Sequence, residues 1–381
     1  MTGPAFTIGL EEEYLLVDRA TRDLARDPPA DLVAQTEAEL AKRGMPGQVS
    51  PEFLRAQIEV QTRVCASVAD ARAQLATLRR TVAEVAARHG LAPIAASTHP
   101  FAEWRGVGAT DRERYRALER DLQGVGRRLV ICGLHVHVGI EDEELRVDLM
   151  NQAGYFLPHL LALSTSSPFW RGEDTGLASY RIAIFNELPR TGLPDHFESW
   201  GEYRRQVDRL VKAGLIDDAS KLWWDIRPSA RFPTLEMRAT DMCTALDHAI
   251  SIAALYRSLI SMLWRLKTSN QRWRIYPHML VKENRWRAQR YGIDEGLVDF
   301  GKGEIVPVAG LVDELIELVQ PDAERLGCVA EVEGARAILR DGTSAHRQRR
   351  AFAAATAAGH AKQRALEAVV DDLIAGTVAG L

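Results

Sequence analysis

Residues 6–18, FTIGLEEEYLLVD, alternate like a β-strand yet carry three consecutive carboxylates at their centre. Side chains two apart on a strand share a face. Phe6, Ile8, Leu10, Tyr14 and Leu16 then form an apolar face, while Glu11 and Glu13 share the other, about 7 Å apart by strand rise. Carboxylates at that spacing repel unless a cation lies between them or water bathes the face. The segment alone leaves both readings open.

Three further segments repeat the pattern. In FLRAQIEVQTRV, Leu54, Ala56, Ile58 and Val60 oppose Gln57, Glu59 and Gln61; in LVICGLHVHVGI, Leu134, Val136, Val138 and Ile140 oppose Gly133, His135, His137 and Gly139. In FPTLEMRAT, Leu235, Met237 and Ala239 alternate with Thr234, Glu236 and Arg238. Were these strands neighbours, one surface would hold Glu11, Glu13, Glu59, His135, His137, Glu236 and Arg238. Such crowding is costly without hard cations and a polyanionic ligand. Carboxylates with an occasional imidazole suit Mg²⁺ or Mn²⁺, and Arg238 offers a fork for phosphate or carboxylate. That is the logic of phosphoryl transfer without a P-loop, and no GxxxxGK[ST] is present. The His135–His137 pair is open to two other readings: the start of a zinc or di-metal hydrolase site, or two satisfied core histidines.

Elsewhere, strand-like stretches at 91–97 and 232–240 accompany helical patterns. SVADARAQLATLRRTVAEVAARHG is bounded by Ser67 as N-cap, with Asp70 three residues on, and Gly90 as stop. Buried helices are expected at 143–165, at 245–267 opened by Thr244 with Asp247, and at 344–374. The Gly/Pro-rich segment 170–200 is long enough to be a mobile lid. Strands separated by helices without a βαβ rhythm predict an α+β fold with a mainly antiparallel sheet, in one domain over 1–381. A net charge of −4 and pI near 6.2 give no electrostatic case for nucleic acid or an anionic membrane. Four dispersed cysteines without a CxxC pair fit a reducing compartment. No signal peptide or bilayer-length apolar run is read, so a cytoplasmic protein is expected.

Arginines cluster as well. KENRWRAQRYG places Asn284, Arg285, Arg287 and Arg290 together, DGTSAHRQRR adds Arg347, Arg349 and Arg350, and Arg181 and Arg190 lie in the long segment. Singly each reads as a surface arginine; together they could hold ATP phosphates and a substrate carboxylate around an acidic floor.

The pieces GLEEEYLLVD, SPEFLRAQIEVQT, STHPFAEW, CGLHVHVG, SPFWRGEDTGLASYR, TLEMRATD, ENRWRAQRYG and DGTSAHRQR run in order from residue 9 to 349. This series resembles the carboxylate-amine ligase branch of the type 2 glutamate–cysteine ligase family. The resemblance implies a glutamine synthetase and guanido kinase-like fold: a mainly antiparallel sheet forming an open funnel, with helices on its outer face. It implies that ATP phosphorylates a carboxylate, typically the γ-carboxylate of glutamate, and that an amine attacks the acyl phosphate. By the same resemblance Glu11, Glu13, Glu59, His137 and Glu236 are candidate Mg²⁺ ligands. Arg238 is a phosphate contact, and Arg181 holds the acceptor carboxylate. Asn284, Arg285, Arg287, Arg290 and Arg347 are candidates to close over the nucleotide, and a homodimer is expected. QIEVQTRVC and GTSAHRQR depart from the family pattern, the first beside Glu59. A hydrolase using the HxH pair and a non-catalytic nucleotide-binding relative remain the alternatives.

Overall fold

The computed structural model describes residues 3–45 and 47–381. Seven strands build the main sheet: β1 (Ile8–Asp18), β2 (Val49–Pro51), β3 (Gln57–Gln61), β4 (Leu91–Ile94), β5 (Leu134–Gly139), β6 (Ile226–Pro228) and β7 (Thr234–Met237). The helices that position the site are α1 (Val68–Ala87), α2 (Glu113–Gly126), α3 (Glu143–Ala153), α4 (Leu157–Ser164), α5 (Tyr180–Phe185), α6 (Trp200–Lys212), α7 (Leu246–Thr268), α8 (His278–Tyr291), α9 (Ser344–Ala357) and α10 (Lys362–Val378). The sheet runs β6–β7–β5–β1–β3–β2, with β4 beside the C-terminal end of β1, and each of these pairings is antiparallel. The α+β, antiparallel architecture expected from the sequence is the one observed. Helices α1, α7 and α10 pack behind the sheet, leaving the opposite face open.

The register explains the triple glutamate. Glu11 and Glu13 point to the open face, and Glu12 points into the core beside Leu10 and Tyr14, with 0% of its surface exposed. Its partner is Arg79 of α1, equally buried, which donates from Nη2 to Oε1 at 2.6 Å and from Nε to Oε2 at 2.8 Å. The Tyr14 hydroxyl donates to the same carboxylate. The remaining guanidinium protons reach the carbonyls of Thr244 (2.7 Å), Cys243 (3.0 Å) and Thr377 (3.4 Å). A buried ion pair offsets its desolvation only when every donor and acceptor is engaged, and this one is.

Several local expectations need correction. Ser67 does cap α1, accepting from the Asp70 N–H at 3.1 Å. Thr244 does not cap α7: Ala245 occupies that place, and the Thr244 hydroxyl donates to the Ala95 carbonyl. The helix expected over 143–165 breaks into α3, a single 3₁₀ turn (Gly154–Phe156) and α4, because Pro158 lacks the N–H an interior turn requires. The helix expected over 344–374 is two, separated around Gly359, whose φ of +85° ends α9. Strand β4 stops at Ile94 because Ala95 and Ser97 give their N–H groups to the Thr377 and Ser166 hydroxyls. Helix α7 is long and apolar enough to span a bilayer, contrary to the sequence reading, and 83% of its apolar window is packed inside the fold.

The buried pair generates a stability test. Arg79→Met strands Glu12 without its cation and is expected to cost about 3–5 kcal/mol, whereas Glu12→Leu combined with Arg79→Met should recover most of that loss. Urea unfolding of both variants checks this; equal losses would assign the effect to packing around Arg79.

Candidate active site

The open face of the sheet floors a cavity of about 460 Å³. Pairing brings the floor together: Glu11 lies opposite His135, Glu13 opposite Glu59, and Glu236 opposite His137. All five polar residues assigned from the sequence as candidate metal ligands line it, as do Arg181 and Arg238. Leu118 of α2, Leu129, Ile131, and Phe185 and Leu188 make an apolar wall.

Two ligand clusters stand on the floor, each with donor atoms within 4.8 Å of one another: Glu11, His137 and Glu236, and Glu13, Glu52 and Glu59. Their electrostatics differ. Glu236 accepts from Arg227 at both oxygens, at 2.8 and 3.0 Å, and also pairs with Arg238. Burial works against its charge, yet Arg238 and Arg227 outweigh it and hold the carboxyl far below the usual range. Burial likewise opposes ionisation of Glu11, but His135 at 3.1 Å and His137 at 3.2 Å keep it ionised. In the second cluster burial dominates. Burial and the nearby Glu52 push Glu13 up to about 8, and burial with Glu52, Glu11 and Glu13 pushes Glu59 well above the ordinary range. Neither Glu52 nor Glu59 has a Lys or Arg ion pair among the described residues, and their contacts are the Phe53 N–H and the Ser50 hydroxyl.

The donor set fits hard divalent cations. Three partly buried carboxylates converge with no Lys or Arg at ion-pair distance among the described residues, and protons or a cation relieve their repulsion. Among the described residues Nε2 of His135 is buried without a hydrogen bond, while Nε2 of His137 lies 3.2 Å from Glu11 Oε1. His135, held down to about 4 by burial and by Arg238, is neutral; its Nδ1 contact with Glu11 leaves Nε2 as a free lone pair. Glu236 already accepts three guanidinium bonds, which leaves one lone pair of Oε2 for an ion, so the Glu13–Glu52–Glu59 cluster is the less encumbered of the two.

Arg181 stands over Gly133. A Cβ at residue 133 would lie 2.4 Å from Arg181 Nη2, so glycine is required for the guanidinium to rest there. Arg181 Nη2 donates to the Arg238 carbonyl at 3.3 Å, while Nε and Nη1 are buried and unpartnered, as is Arg238 Nε. The segment carrying Arg181 is pinned rather than free. Asp241 accepts from Ser167 and Ser179 hydroxyls, both at 2.8 Å, and from the Ser166 N–H at 2.9 Å. The segment expected to be a lid over 170–200 is therefore tied to Asp241 near its start, through Ser179.

Five residues expected at the nucleotide do not reach this cavity. Asn284 bonds both backbone groups of Val298; Arg285 forks onto Asp225; Arg287 and Arg290 donate to the Gly296 and Gly176 carbonyls; Arg347 pairs with Asp372 at 2.6 Å. Each guanidinium is spent clamping a loop or helix in place. Arg112, Lys221, Arg227 and Arg231 line the cavity instead. Glu52 and Arg227 escaped the sequence reading because they sit beside or within three-residue strands, too short to show alternation.

The crowded carboxylates predict a pH and cation dependence. Without divalent cation, the raised Glu13 means that the folded state holds a proton the unfolded state has lost. Stability should fall as pH rises from 4.5 towards about 8 and level off above it. Mg²⁺ or Mn²⁺ should stabilise the fold by about 2.7 kcal/mol at a hundredfold excess over Kd, raising the melting temperature and flattening that slope. Glu59→Gln should stabilise the cation-free protein and shrink the cation-induced shift; an unchanged shift would place the ion elsewhere.

The family model described as glutamate-cysteine ligase family 2 matches residues 7–372. A Rhodospirillum rubrum protein carrying the name "Putative glutamate--cysteine ligase 2" is 64% identical over 381 residues, spanning 100% of this chain and 98% of its own. A protein of the same name from Jannaschia sp. is 56% identical over 369 residues, spanning 97% and 96%. Among solved structures, a glutamate–cysteine ligase from Francisella tularensis in complex with AMP is similar at a TM-score of 0.69 and 13% identity, over 99% of this chain and 90% of that one. A bifunctional glutathione synthetase from Pasteurella multocida is similar at 0.66 and 16%, over 98% and 52%. Those two likenesses speak for the fold. The sequence matches go further: the chain belongs to glutamate–cysteine ligase family 2.

Proposed function

We propose that this cavity joins a carboxylate to an amine at the expense of ATP, forming a γ-glutamyl-type amide through an acyl phosphate, as a glutamate–cysteine ligase-like enzyme. The observation that carries the reading is the meeting, in one cavity, of two carboxylate clusters with guanidinium N–H groups that have no protein partner. Family membership supports the reaction class, and nothing supports the hydrolase alternative.

Glu13, Glu52 and Glu59 would hold one divalent cation, and Glu11, His137 and Glu236 a second. When bound, Mg²⁺ or Mn²⁺ supplies charge neutralisation at the phosphate oxygens. Arg238 Nε would donate to the transferring phosphoryl group, and Arg181 Nε and Nη1 to the acceptor carboxylate; all three lack a partner among the described residues. The carboxylate oxygen attacks the γ-phosphorus of ATP and ADP leaves. The amine then attacks the acyl carbon and phosphate departs, which avoids expelling oxide. The apolar wall of Ile131, Phe185 and Leu188 keeps water from the acyl phosphate. The reading extends to one domain over 1–381, a cytoplasmic setting and a homodimer. A buried cluster reaching from Phe6 to Leu373 supports the first.

ADP release measured with ATP, Mg²⁺ and L-glutamate, with and without cysteine or a panel of other amines, tests the proposal. Release is expected only when amino acid and amine are both present. ATP binding with no release under any pairing would favour a non-catalytic relative. Release with ATP alone would sink the ligase reading. Arg181→Met should lower kcat/KM for the carboxylate about 100-fold or more while leaving the melting temperature close to wild type; unchanged kinetics would remove Arg181 from the substrate.

A further inference from the structure

A second cavity, of about 340 Å³, lies on the far side of the loop joining β6 to β7, between α3, α6 and residues 229–233. Arg146 of α3 faces it. The residue is 5% exposed, and its Nε is buried without a partner. Its one ion pair among the described residues is a loose one, 3.7 Å from Glu143 Oε1, on a side chain 54% exposed. The guanidinium rests 5.2 Å over the Trp200 ring, which fixes its plane. Trp200 lines the same cavity, and its Nε1 is also buried without a partner among the described residues. Two residues of this cavity's lining thus carry buried donors that have no protein acceptor among the described residues. Indole N–H and guanidinium are donors only, so the complement is an acceptor-only group. Arg204 and Arg231 add positive charge at the mouth. The exposed carboxylates of Glu143, Asp208 and Asp218 at the rim oppose a large polyanion and restrict the ligand to a small one.

The two cavities share a wall. Residues 229–232 line both, and the Phe232 ring sits edge-on to His137 with centroids 6.2 Å apart. His137 Nδ1 meets the Thr234 hydroxyl at 2.9 Å at the other end of the same loop. A ligand that draws Arg231 towards Arg146 moves Phe232 and, through it, the packing on His137.

We infer that this second cavity binds a small oxyanion, carboxylate or phosphate, on Arg146 and Trp200, and that its occupancy is felt at the active site through residues 229–234. The binding half of the inference holds whether or not the protein is a ligase.

Indole N–H NMR signals of the full-length protein test it, with the Trp200 signal identified by its loss in Trp200→Phe. Inorganic phosphate and succinate, added separately, distinguish the two oxyanion sources. The Trp200 signal should shift saturably with at least one of them. In Arg146→Gln the apparent Kd should weaken about tenfold or more, while anion shifts elsewhere persist. Arg146→Lys, which keeps the charge but not the fork, should fall between, and serves if the glutamine variant misfolds. With the anion bound, the KM for ATP–Mg²⁺ should change in wild type and not in Arg231→Ala. A Trp200 signal unmoved by both anions, or moved equally in wild type and both Arg146 variants, overturns the site: water then completes the two donors and Arg146 merely ties α3 to α6. An unchanged KM with an intact Trp200 shift overturns the coupling alone.

Discussion

The ion pair between Glu12 and Arg79 is the constraint on which the rest of the molecule hangs. A strand with glutamates on both faces can sit in a core only if the inward one meets a fully engaged cation. Arg79 supplies it and, through three carbonyls, ties α1 to the turn before α7 and to the end of α10. The pair also forbids register error. A one-residue slip of β1 would send Glu11 and Glu13 inward against a single buried guanidinium and turn Tyr14 and Leu10 to the cavity. With β1 locked, the hydrogen-bonded ladders on either side deliver His135, His137, Glu59 and Glu236 to one face.

That face is divided electrostatically. On the β7 side, acids are already balanced: Glu236 lies between Arg227 and Arg238, and Glu11 leans on two imidazoles. On the β3 side, Glu13, Glu52 and Glu59 share a partly buried corner with no Lys or Arg ion pair among the described residues. The same residue type thus performs two tasks, because the neighbours push the titrations in opposite directions. The balanced side orders guanidinium groups for an anion. The unbalanced side stores repulsion that a cation relieves.

The alternation of apolar and ionisable residues made the sheet and its active face legible, since a period of two needs only local sequence. Glu12 was not legible as a core residue because its partner is 67 positions away and Arg79 reads as one of a pair of ordinary helix arginines. That the arginines of α8 and α9 lie outside this cavity was illegible for the same reason. A guanidinium looks alike in sequence whether it faces a ligand or clamps Asp225, Asp372 or a carbonyl, and those partners lie on other elements. Arg146 belongs to this class too: only the structure shows that its nearest acid is too far away and too exposed to satisfy it.

Gly133 and Arg181 show how rigid the anion-facing side is. The absent Cβ lets the guanidinium lie against β5, and the Asp241 network holds the backbone that carries it. Such placement is preorganised, so little ordering remains to be done when a carboxylate arrives. It also ties the start of the segment expected to be a lid to Asp241. The exposed alternative is the β6–β7 loop, where Phe232 keeps 51% of its surface in solvent while touching His137. A loop shared by two cavities and anchored at Thr234 is the place where a change in one cavity would reach the other.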